Sequence, residues 1–444
     1  MKNKLLSFIC LIIVMLLSAV GLAQEGITID TLLRTKWNQY PNNPVMMPGK
    51  QSSWNDASSF APTVFVFKDT LRMLYAGSNA YGFNSTISIG YAWSLDDITW
   101  QQYSNNPVLS PQAGEWDYPH CNYLHVVVDG DTLRMWYGGG SMIQLGMRIG
   151  YATSVDGIHW NRYPQPVIEP NAAWNKDGVV PGGVIKEDSI FKMWFGGGVG
   201  TAGYPSLTSK WKTGYATSSD GIHWTLFDDP VVSNGRSTDF DANEVLNACV
   251  IRSDSIYDMW YFGHNSGNRK GAIGYASSSD GINWTKYPKN PVISSASLQF
   301  PWAENYYDPS VYFDGEIFHM WFTGWDHNSQ LIAIGYATSD TGQYKGIVDK
   351  LLVQVPEEYK LSQNYPNPFN PSTTICYSIP NPCPVRLKIY DILGNEIETL
   401  IDEEKSAAGV YRIKFNASDL SGGIYFYVFQ AGNFVKSKRM ILLK

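Results

Sequence analysis

Two short apolar phrases recur along the first three quarters of the chain. One reads Ile-Gly-Tyr-Ala, with Thr for Ile in one copy, and its five glycines follow one another at steps of 60, 64, 60 and 61 residues (Gly90, Gly150, Gly214, Gly274 and Gly335). The other precedes it in each copy and consists of Met, then Leu or Trp, then Tyr or Phe. Aromatic segments bounded by glycine are typical of β-strands. A repeat of this length predicts an array of similar β-units.

A turn and a fourth strand complete the repeat. The turn reads Ser-x-Asp-Gly-x-x-Trp at 154–160, and similar segments end at Trp100, Trp224 and Trp284. Asp-Gly favours a hairpin because glycine tolerates positive φ. The segment resembles the Asp-box of sialidase propellers, although it is one residue shorter. Since it recurs, we expect a structural role, in which Asp binds turn amides and Trp packs between units.

The fourth strand of the fifth unit is displaced to the start of the chain. Trp37-Asn38-Gln39-Tyr40, followed by Pro44-Val45, stands before the first unit, whereas the fifth unit stops after Thr338-Ser339-Asp340. A ring explains this offset, because the N-terminal strand then completes the last unit. The pattern predicts an all-β chain whose residues 24–345 form a five-bladed β-propeller closed by the N-terminal strand. The alternative, a linear solenoid, would have polar caps instead.

The composition changes near residue 345. All 16 Trp and all 7 His lie before this point, and residues 346–360 are predicted to be a linker. Residues 361–444 alternate apolar and polar positions, with turn signals between the runs. This pattern predicts a small Ig-like β-sandwich.

The second domain carries four specific motifs, at 364–373, 389–394, 423–425 and 438–442, the first reading Asn-Tyr-Pro-Asn-Pro-Phe-Asn-Pro-Ser-Thr. They resemble the C-terminal sorting domain of the type IX secretion system. The resemblance implies passage through the periplasm and recognition by the outer-membrane machinery through residues 361–444. The protein would then be secreted or held at the outer cell surface.

The N-terminus agrees with export. Residues 1–23 combine Lys2 and Lys4 with an apolar run and a small-residue cleavage site, which predicts a signal peptide. No second apolar stretch of spanning length follows, so we expect no transmembrane segment in the mature protein. The net charge of −7 makes nucleic acid a poor partner. Cys376 and Cys383 could pair across the turn between them, while Cys121 and Cys249 read as small buried residues.

Candidate catalytic residues come from acids near the predicted inner strands. The repeat resembles the five-bladed propellers of glycoside hydrolase families 43, 62 and 32 (arabinanases, xylosidases, invertases). This resemblance implies two Asp and one Glu near the first, third and fourth inner strands, where Asp56, Asp177 and Glu244 stand. It also implies an Asp directly before Pro in the first blade, but here Ala61 precedes Pro62.

Asp308-Pro309-Ser310 provides that Asp-Pro pair in the fifth blade instead. Glycosidic cleavage needs one acid and one base or nucleophile on opposite sides of the bond. We therefore expect Glu244 to be the general acid, Asp177 to tune it, and Asp56 or Asp308 to be the base.

Aromatic and histidine residues on the loops are candidates for substrate binding, the alternative being that they pack between blades: Tyr118, His120, His264, Tyr306, Tyr307 and Trp325. No metal motif is visible, although a structural calcium ion in the channel is possible. The sequence thus predicts a hydrolase of extracellular poly- or oligosaccharides with arabinose-, xylose- or fructose-type linkages. The alternative is a non-catalytic propeller that binds glycan or protein at the cell surface.

Overall fold

The computed structural model describes residues 33–68, 70–80, 85–141, 146–200, 209–253, 256–267, 270–296, 302–339, 358–364, 367–405 and 409–443. These residues form β-strands and turns almost throughout, so the chain is all-β, as predicted. The chain divides into two compact units, the larger made mostly of the repeat region and the smaller containing residues 344–444. The predicted signal peptide and residues 346–357 of the predicted linker lie outside the described residues.

The repeats fold into five groups of strands, preceded by β1 (Trp37–Gln39), with four consecutive strand positions in each of the first four groups and three in the fifth. The first two groups are β2 (Ser58–Phe67), β3 (Thr70–Ser78), β4 (Ser88–Ser94) and β5 (Trp100–Gln102), then β6 (His120–Asp129), β7 (Thr132–Gly140), β8 (Arg148–Ser154) and β9 (Asn161–Arg162). The third group has a divided first strand: β10 (Gly178–Val180), β11 (Val184–Glu187), β12 (Ile190–Val199), β13 (Lys210–Ser218) and β14 (Thr225–Leu226). The last two are β15 (Glu244–Ser253), β16 (Ile256–Asn265), β17 (Lys270–Ser278) and β18 (Thr285–Lys286), then β19 (Asn305–Phe313), β20 (Phe318–Asp326) and β21 (Leu331–Ser339).

Strand β1 completes the fifth group. It pairs antiparallel with β21, Trp37 opposite Ser339, which is the pairing that the displaced sequence phrase predicts. Asn43 extends the contact, because its side-chain amide donates to the carbonyl of Tyr336 and its oxygen accepts from the Tyr336 amide, both at 2.8 Å. The first and last parts of the repeat region are therefore joined by main-chain and side-chain hydrogen bonds.

Neighbouring groups are linked where the third strand of one meets the first strand of the next. Parallel bridges join Ile87 to His120, Met147 to Gly178, and Trp211 to Glu244. The three bridges occupy the same place in successive repeats. The same parallel bridge therefore connects each of the first three groups to the next one.

The Asp-Gly turns have the structural role expected from the sequence. Asp156 Oδ1 accepts hydrogen bonds of 2.8 Å from the amides of Ile158 and His159. Gly157 has a φ of 81°, a conformation that glycine adopts without steric cost. In the copy that ends at Trp224, the Trp ring meets Trp136 of the preceding group edge to face, with centroids 5.9 Å apart.

The C-terminal residues form two sheets around one apolar core. The sheets have the orders β22-β23-β26 and β25-β24-β27-β28. Their strands are β22 (Lys360–Leu361), β23 (Ser372–Ile379), β24 (Cys383–Tyr390), β25 (Glu396–Lys405), β26 (Gly409–Asn416), β27 (Gly423–Ala431) and β28 (Phe434–Leu442). Ile375 and Phe415 of one sheet and Leu387 and Phe429 of the other are buried in this core.

The cysteines and the membrane prediction can be checked in the same residues. Cys376 and Cys383 are not joined by a disulfide, so the bridge considered from the sequence is not formed. Cys121 and Cys249 are buried, as expected. Within the described ranges, no helix is long and apolar enough to cross a membrane.

Candidate active site

The first strand of each group is interrupted at the same level. The register shifts between Asn122 and Leu124, between Leu246 and Cys249, and between Tyr307 and Ser310. At this level, four non-glycine residues have positive φ values of 47 to 52° (Ala61, Tyr123, Asn247 and Asp308). Such a conformation costs roughly 1–3 kcal/mol per residue. Its recurrence indicates that four of the groups share one backbone feature, a bulge in the first strand.

These interruptions surround a single cavity. In the third group the strand itself breaks between β10 and β11, and Pro181-Gly182 takes the place of the bulge. The empty space in and directly outside the cavity, including the part open to solvent, is about 360 Å³. Its lining comes from all five groups: residues 61–63, 123–125, 181–182, 247–249 and 308–310. The repeats thus converge on one site.

Asp308 is the carboxylate of this cavity. The side-chain amide of Asn247 donates to its Oδ1 at 2.5 Å, and the hydroxyl of Thr323 donates to its Oδ2 at 2.9 Å. Burial raises the pKa of Asp308 to about 6, although both hydrogen bonds oppose this shift. A carboxyl group with this pKa exchanges protons readily near neutral pH.

Glu244 begins β15 and is fully buried. The hydroxyl of Ser209 donates to its Oε1 at 3.3 Å, and Nδ1 of His264 lies 3.7 Å from its Oε2. Burial lowers the pKa of His264 to about 4, so this imidazole is neutral at neutral pH. Glu244 therefore faces a neutral ring and not a cation.

Two tyrosines connect the two carboxylates. Tyr123 is buried and Tyr307 is half-buried, and their pKa values are raised by removal from water and also by the charges of both Asp308 and Glu244. Both acids therefore act electrostatically on the same pair of phenols. Of the predicted site residues Glu244, Asp308, His264 and Tyr307, only Asp308 lines the cavity, and the others lie beside one another through the contacts described above.

Asp177 and Asp56 have local structural roles. Oδ2 of Asp177 accepts from the Gly200 amide at 2.9 Å, just as Asn243 accepts from Ser266 in the next group at 3.2 Å. Asp56 accepts from the Ser52 amide at 2.7 Å and holds a tight turn. Neither residue lines the cavity. Of the two bases considered from the sequence, Asp308 is therefore the one that the geometry favours.

Three of the residues predicted to bind substrate, Tyr306, Tyr118 and His120, differ in their exposure. Tyr306 is fully buried in the fifth group, and its hydroxyl donates to the Ala303 carbonyl at 2.9 Å, so it is placed as a core residue and not at a surface. Tyr118 is 49% exposed, and His120 is fully buried at the first position of β6, the position that Glu244 has in β15. These two residues are not in the cavity lining.

Tyr307 and Trp325 belong to a row of rings that leads away from the cavity. The ring centroids of Phe262 and Tyr307 are 4.6 Å apart, those of Tyr307 and Trp325 are 6.4 Å apart, and those of Trp325 and His327 are 4.0 Å apart. Phe262 is buried, Trp325 is half-buried and His327 is exposed. The row therefore runs from the interior to the surface.

Three residues of the site were not predicted from the sequence: Asn247, Thr323 and Tyr123. The sequence does set Thr323 apart, because the equivalent positions in the second strands of other groups hold Gly138, Gly196 and Phe262, none of which has a hydroxyl group. Only side-chain contacts between groups show that this difference matters. In the part of the chain that the structure describes, no group of three or more His, Cys, Asp or Glu could hold a metal ion.

Two family models match the chain. Residues 140–358 match the glycosyl hydrolases family 32 N-terminal domain, and residues 363–443 match the secretion system C-terminal sorting domain. The second match confirms the motif-based prediction. This sorting domain directs the protein through type IX secretion to the outer cell surface or the medium.

Relatives and solved structures agree with the first match. An uncharacterized protein of Mycobacterium tuberculosis is 25% identical over 248 residues, 54% of this chain and 79% of its own length. The 1,2-beta-oligomannan phosphorylase of Thermoanaerobacter is 27% identical over 141 residues, 31% of this chain and 47% of its own length. The structure of a glycoside hydrolase superimposes with a TM-score of 0.56 at 18% identity, covering 68% of this chain and 92% of its own. This likeness shows the fold of the propeller glycoside hydrolases.

Proposed function

Because the chain joins a region that resembles the family 32 and family 43 propeller glycoside hydrolases to a secretion C-terminal sorting domain, we propose that it is an extracellular glycoside hydrolase. Its substrates are poly- or oligosaccharides with arabinose-, xylose- or fructose-type linkages. The observation that carries the proposal is the pair Glu244 and Asp308: Asp308 lines the cavity, and the charges of both acids act on the same two tyrosines, Tyr123 and Tyr307.

The two carboxylates take different roles. Asp308, with a pKa of about 6, is ionised at neutral pH and serves as the base that activates water or as the nucleophile. Glu244 is enclosed by protein beside the neutral His264 and serves as the acid that protonates the leaving oxygen. Asp177 and Asp56 accept main-chain hydrogen bonds and take no part in proton transfer.

The repeat region forms a closed five-bladed propeller in this proposal. The pairing of β1 with β21 supports closure, and the repeated bridges between neighbouring groups support the ring order. A propeller brings its inner strands together at the axis, and the cavity is lined by the first strands of all five groups. The two C-terminal sheets are assigned to an Ig-like sandwich on the same basis of strand order and a shared core.

The test uses the full mature chain with a panel of plant and microbial glycans, and it follows released sugar across pH 4 to 9. We expect Glu244→Gln and Asp308→Asn each to lower kcat by about 10²–10⁴-fold, the usual size of an acid–base contribution. Asp177→Asn is the matched control and should stay within a few-fold of wild type. In the wild type, kcat/KM should rise through an apparent pKa near 6, because Asp308 must lose its proton to act.

Two outcomes would contradict this proposal. Full activity in Asp308→Asn would remove Asp308 from the chemistry and reopen the assignment of the base. Binding of a glycan by the wild type without release of sugar from any member of the panel would favour the alternative, a non-catalytic propeller at the cell surface.

Phosphorolysis is a second candidate because of the similarity to the oligomannan phosphorylase. Phosphate is usually held by Arg or Lys side chains. Among the described residues that line the cavity, none is Arg or Lys, which favours hydrolysis. Assays on β-1,2-linked mannosides with and without inorganic phosphate distinguish the two reactions, since only a phosphorylase would release a sugar phosphate.

A further inference from the structure

Thr323 stands between the first and the fifth group at the edge of the cavity. It is 3% exposed, its hydroxyl accepts a 2.8 Å hydrogen bond from the Ala61 amide, and it donates to Asp308 at 2.9 Å. The hydroxyl proton can be given to only one acceptor at a time. The bond from Ala61 occupies the oxygen of Thr323 and directs its proton to Asp308.

We propose that Thr323 and Asn247 are positioning residues that hold the Asp308 carboxylate in its ionised, working orientation. The inference rests on the proposed role of Asp308. Asn247 binds one oxygen of this carboxylate from β15, and Thr323 binds the other from β20. With both oxygens fixed from two strands, the carboxylate cannot turn without losing a hydrogen bond.

The arrangement is specific to one place in the repeat. The residues that occupy the register position of Thr323 in the second, third and fourth groups are Gly138, Gly196 and Phe262, and none of them has a hydroxyl. The bulge residues that correspond to Asp308 in the first and second groups are Ala61 and Tyr123. Thr323 and Asp308 therefore both differ from the residues at the equivalent positions of these other groups, as expected if the two residues act together.

The electrostatic surroundings make the two donors important. The titratable groups that face the cavity or act on it are Tyr123 and His125 on β6, Glu244 and Cys249 on β15, and Tyr307 on β19 beside Asp308 itself. Burial lowers the pKa of His125 to about 4, so its ring is neutral and supplies no compensating charge. Hydrogen bonds from the Thr323 hydroxyl, the Asn247 amide and the Ala61 main chain favour the charged form of Asp308, and the first two come from side chains that can be replaced.

The central test is Thr323→Val, which keeps the branched shape and removes the hydroxyl. We expect the pKa of Asp308 to rise by about one unit, because a donor to the charged form is lost. The shift is measured by carboxyl-carbon NMR on the full chain labelled with ¹³C-aspartate, in which Asp308→Asn identifies the signal. The acid limb of the pH–rate profile should move upward by the same amount, and Thr323→Ser should restore both values.

Thr213→Val is the matched control. Thr213 is as deeply buried and donates its hydroxyl to the Val245 carbonyl at 2.9 Å, away from the carboxylate. Its loss should affect stability and leave the titration of Asp308 unchanged. If Thr323→Val does not fold, Asn247→Gly replaces it, since glycine suits the φ of 52° at this position and lacks the amide donor.

An unchanged Asp308 titration in folded Thr323→Val or Asn247→Gly would overturn the inference. So would a shift of equal size in Thr213→Val. The failure of the proposed function is a separate result: a wild type that releases no sugar ends the hydrolase assignment, while the NMR titration still shows whether the two donors control the carboxyl group.

Discussion

Asp308 combines an unusual backbone with an unusual carboxyl group. Its φ of 49° lies in the left-handed region, where a non-glycine residue is under strain. The same conformation at Asn247 in the neighbouring group leaves the two side chains 2.5 Å apart. The strain of the two bulges is thus linked to the meeting of an amide and a carboxylate that are 61 residues apart in sequence.

Trp325 leads to a prediction about substrate length. Its half-buried ring lies between Tyr307 and the exposed His327, in the row that starts at the cavity. We expect Trp325→Ala to raise KM about 10-fold for longer oligosaccharides, a loss of about 1.4 kcal/mol. The smallest chromogenic glycoside, which does not reach this ring, should keep its kcat and KM.

Steady-state kinetics over a series of chain lengths measures this effect. Phe227→Ala is the control, because Phe227 is also a partly exposed aromatic residue but follows strand β14 and contacts Tyr215 instead of the row of rings that contains Trp325. If Trp325→Ala changes short and long substrates equally, the ring has no role as a stacking platform.

At the scale of elements, the N-terminal segment contacts two groups. Strand β1 pairs with β21 in the fifth group, while Arg34 binds Asp258 in the fourth through a 2.6 Å ion pair. The carbonyl of Arg34 also accepts a 2.9 Å hydrogen bond from the Trp260 ring nitrogen. The first described residues therefore connect the last two groups of the repeat region.

Arg34→Ala tests the weight of this connection. Asp258 is fully buried, and without Arg34 its charge has only hydroxyl partners, Ser253 and Tyr275. Removing one member of a buried ion pair typically costs about 3–5 kcal/mol, so urea denaturation should show a loss of this order in the free energy of unfolding. Arg148→Ala breaks the exposed pair with Glu169 and should cost less than about 1 kcal/mol. Equal losses in both variants would contradict the connecting role.

At the scale of the whole molecule, Asp308 links stability to pH. Its pKa is about 6 in the folded chain against an ordinary value of 3.8. The favourable contribution of Asp308 to the free energy of unfolding is complete below pH 3.8 and is lost as the pH rises through 6. At pH 8 the buried charge then costs about 3 kcal/mol, the equivalent of the pKa difference.

Asp308→Asn removes this charge and keeps one acceptor for Asn247. We expect the variant to be more stable than the wild type at pH 8, by up to about 3 kcal/mol, and to lose this advantage near pH 4. Urea denaturation at both pH values measures the difference. An advantage that does not change with pH would show that packing, and not the charge, is responsible.

Several features follow from the sequence alone because their partners are close in the chain or belong to a repeat. The Met-aromatic and Gly-Tyr-Ala phrases determine the strands, since each apolar segment ends at its own turn. The displaced Trp37 phrase predicts the pairing of β1 with β21, since an unpaired unit at one end matches a spare strand at the other. Sorting motifs likewise identify the C-terminal domain, and the match to residues 363–443 confirms it.

The tertiary structure alone decides which acid lines the cavity. In sequence, Asp56 and Asp177 are as well placed as Asp308, but they accept main-chain hydrogen bonds from Ser52 and Gly200 and do not line the cavity. Bulges that put Asn247 and Asp308 at positive φ carry no glycine and leave no local signal. Their positions depend on how the inner strands meet, and that geometry arises from the packing of distant repeats and not from any one segment.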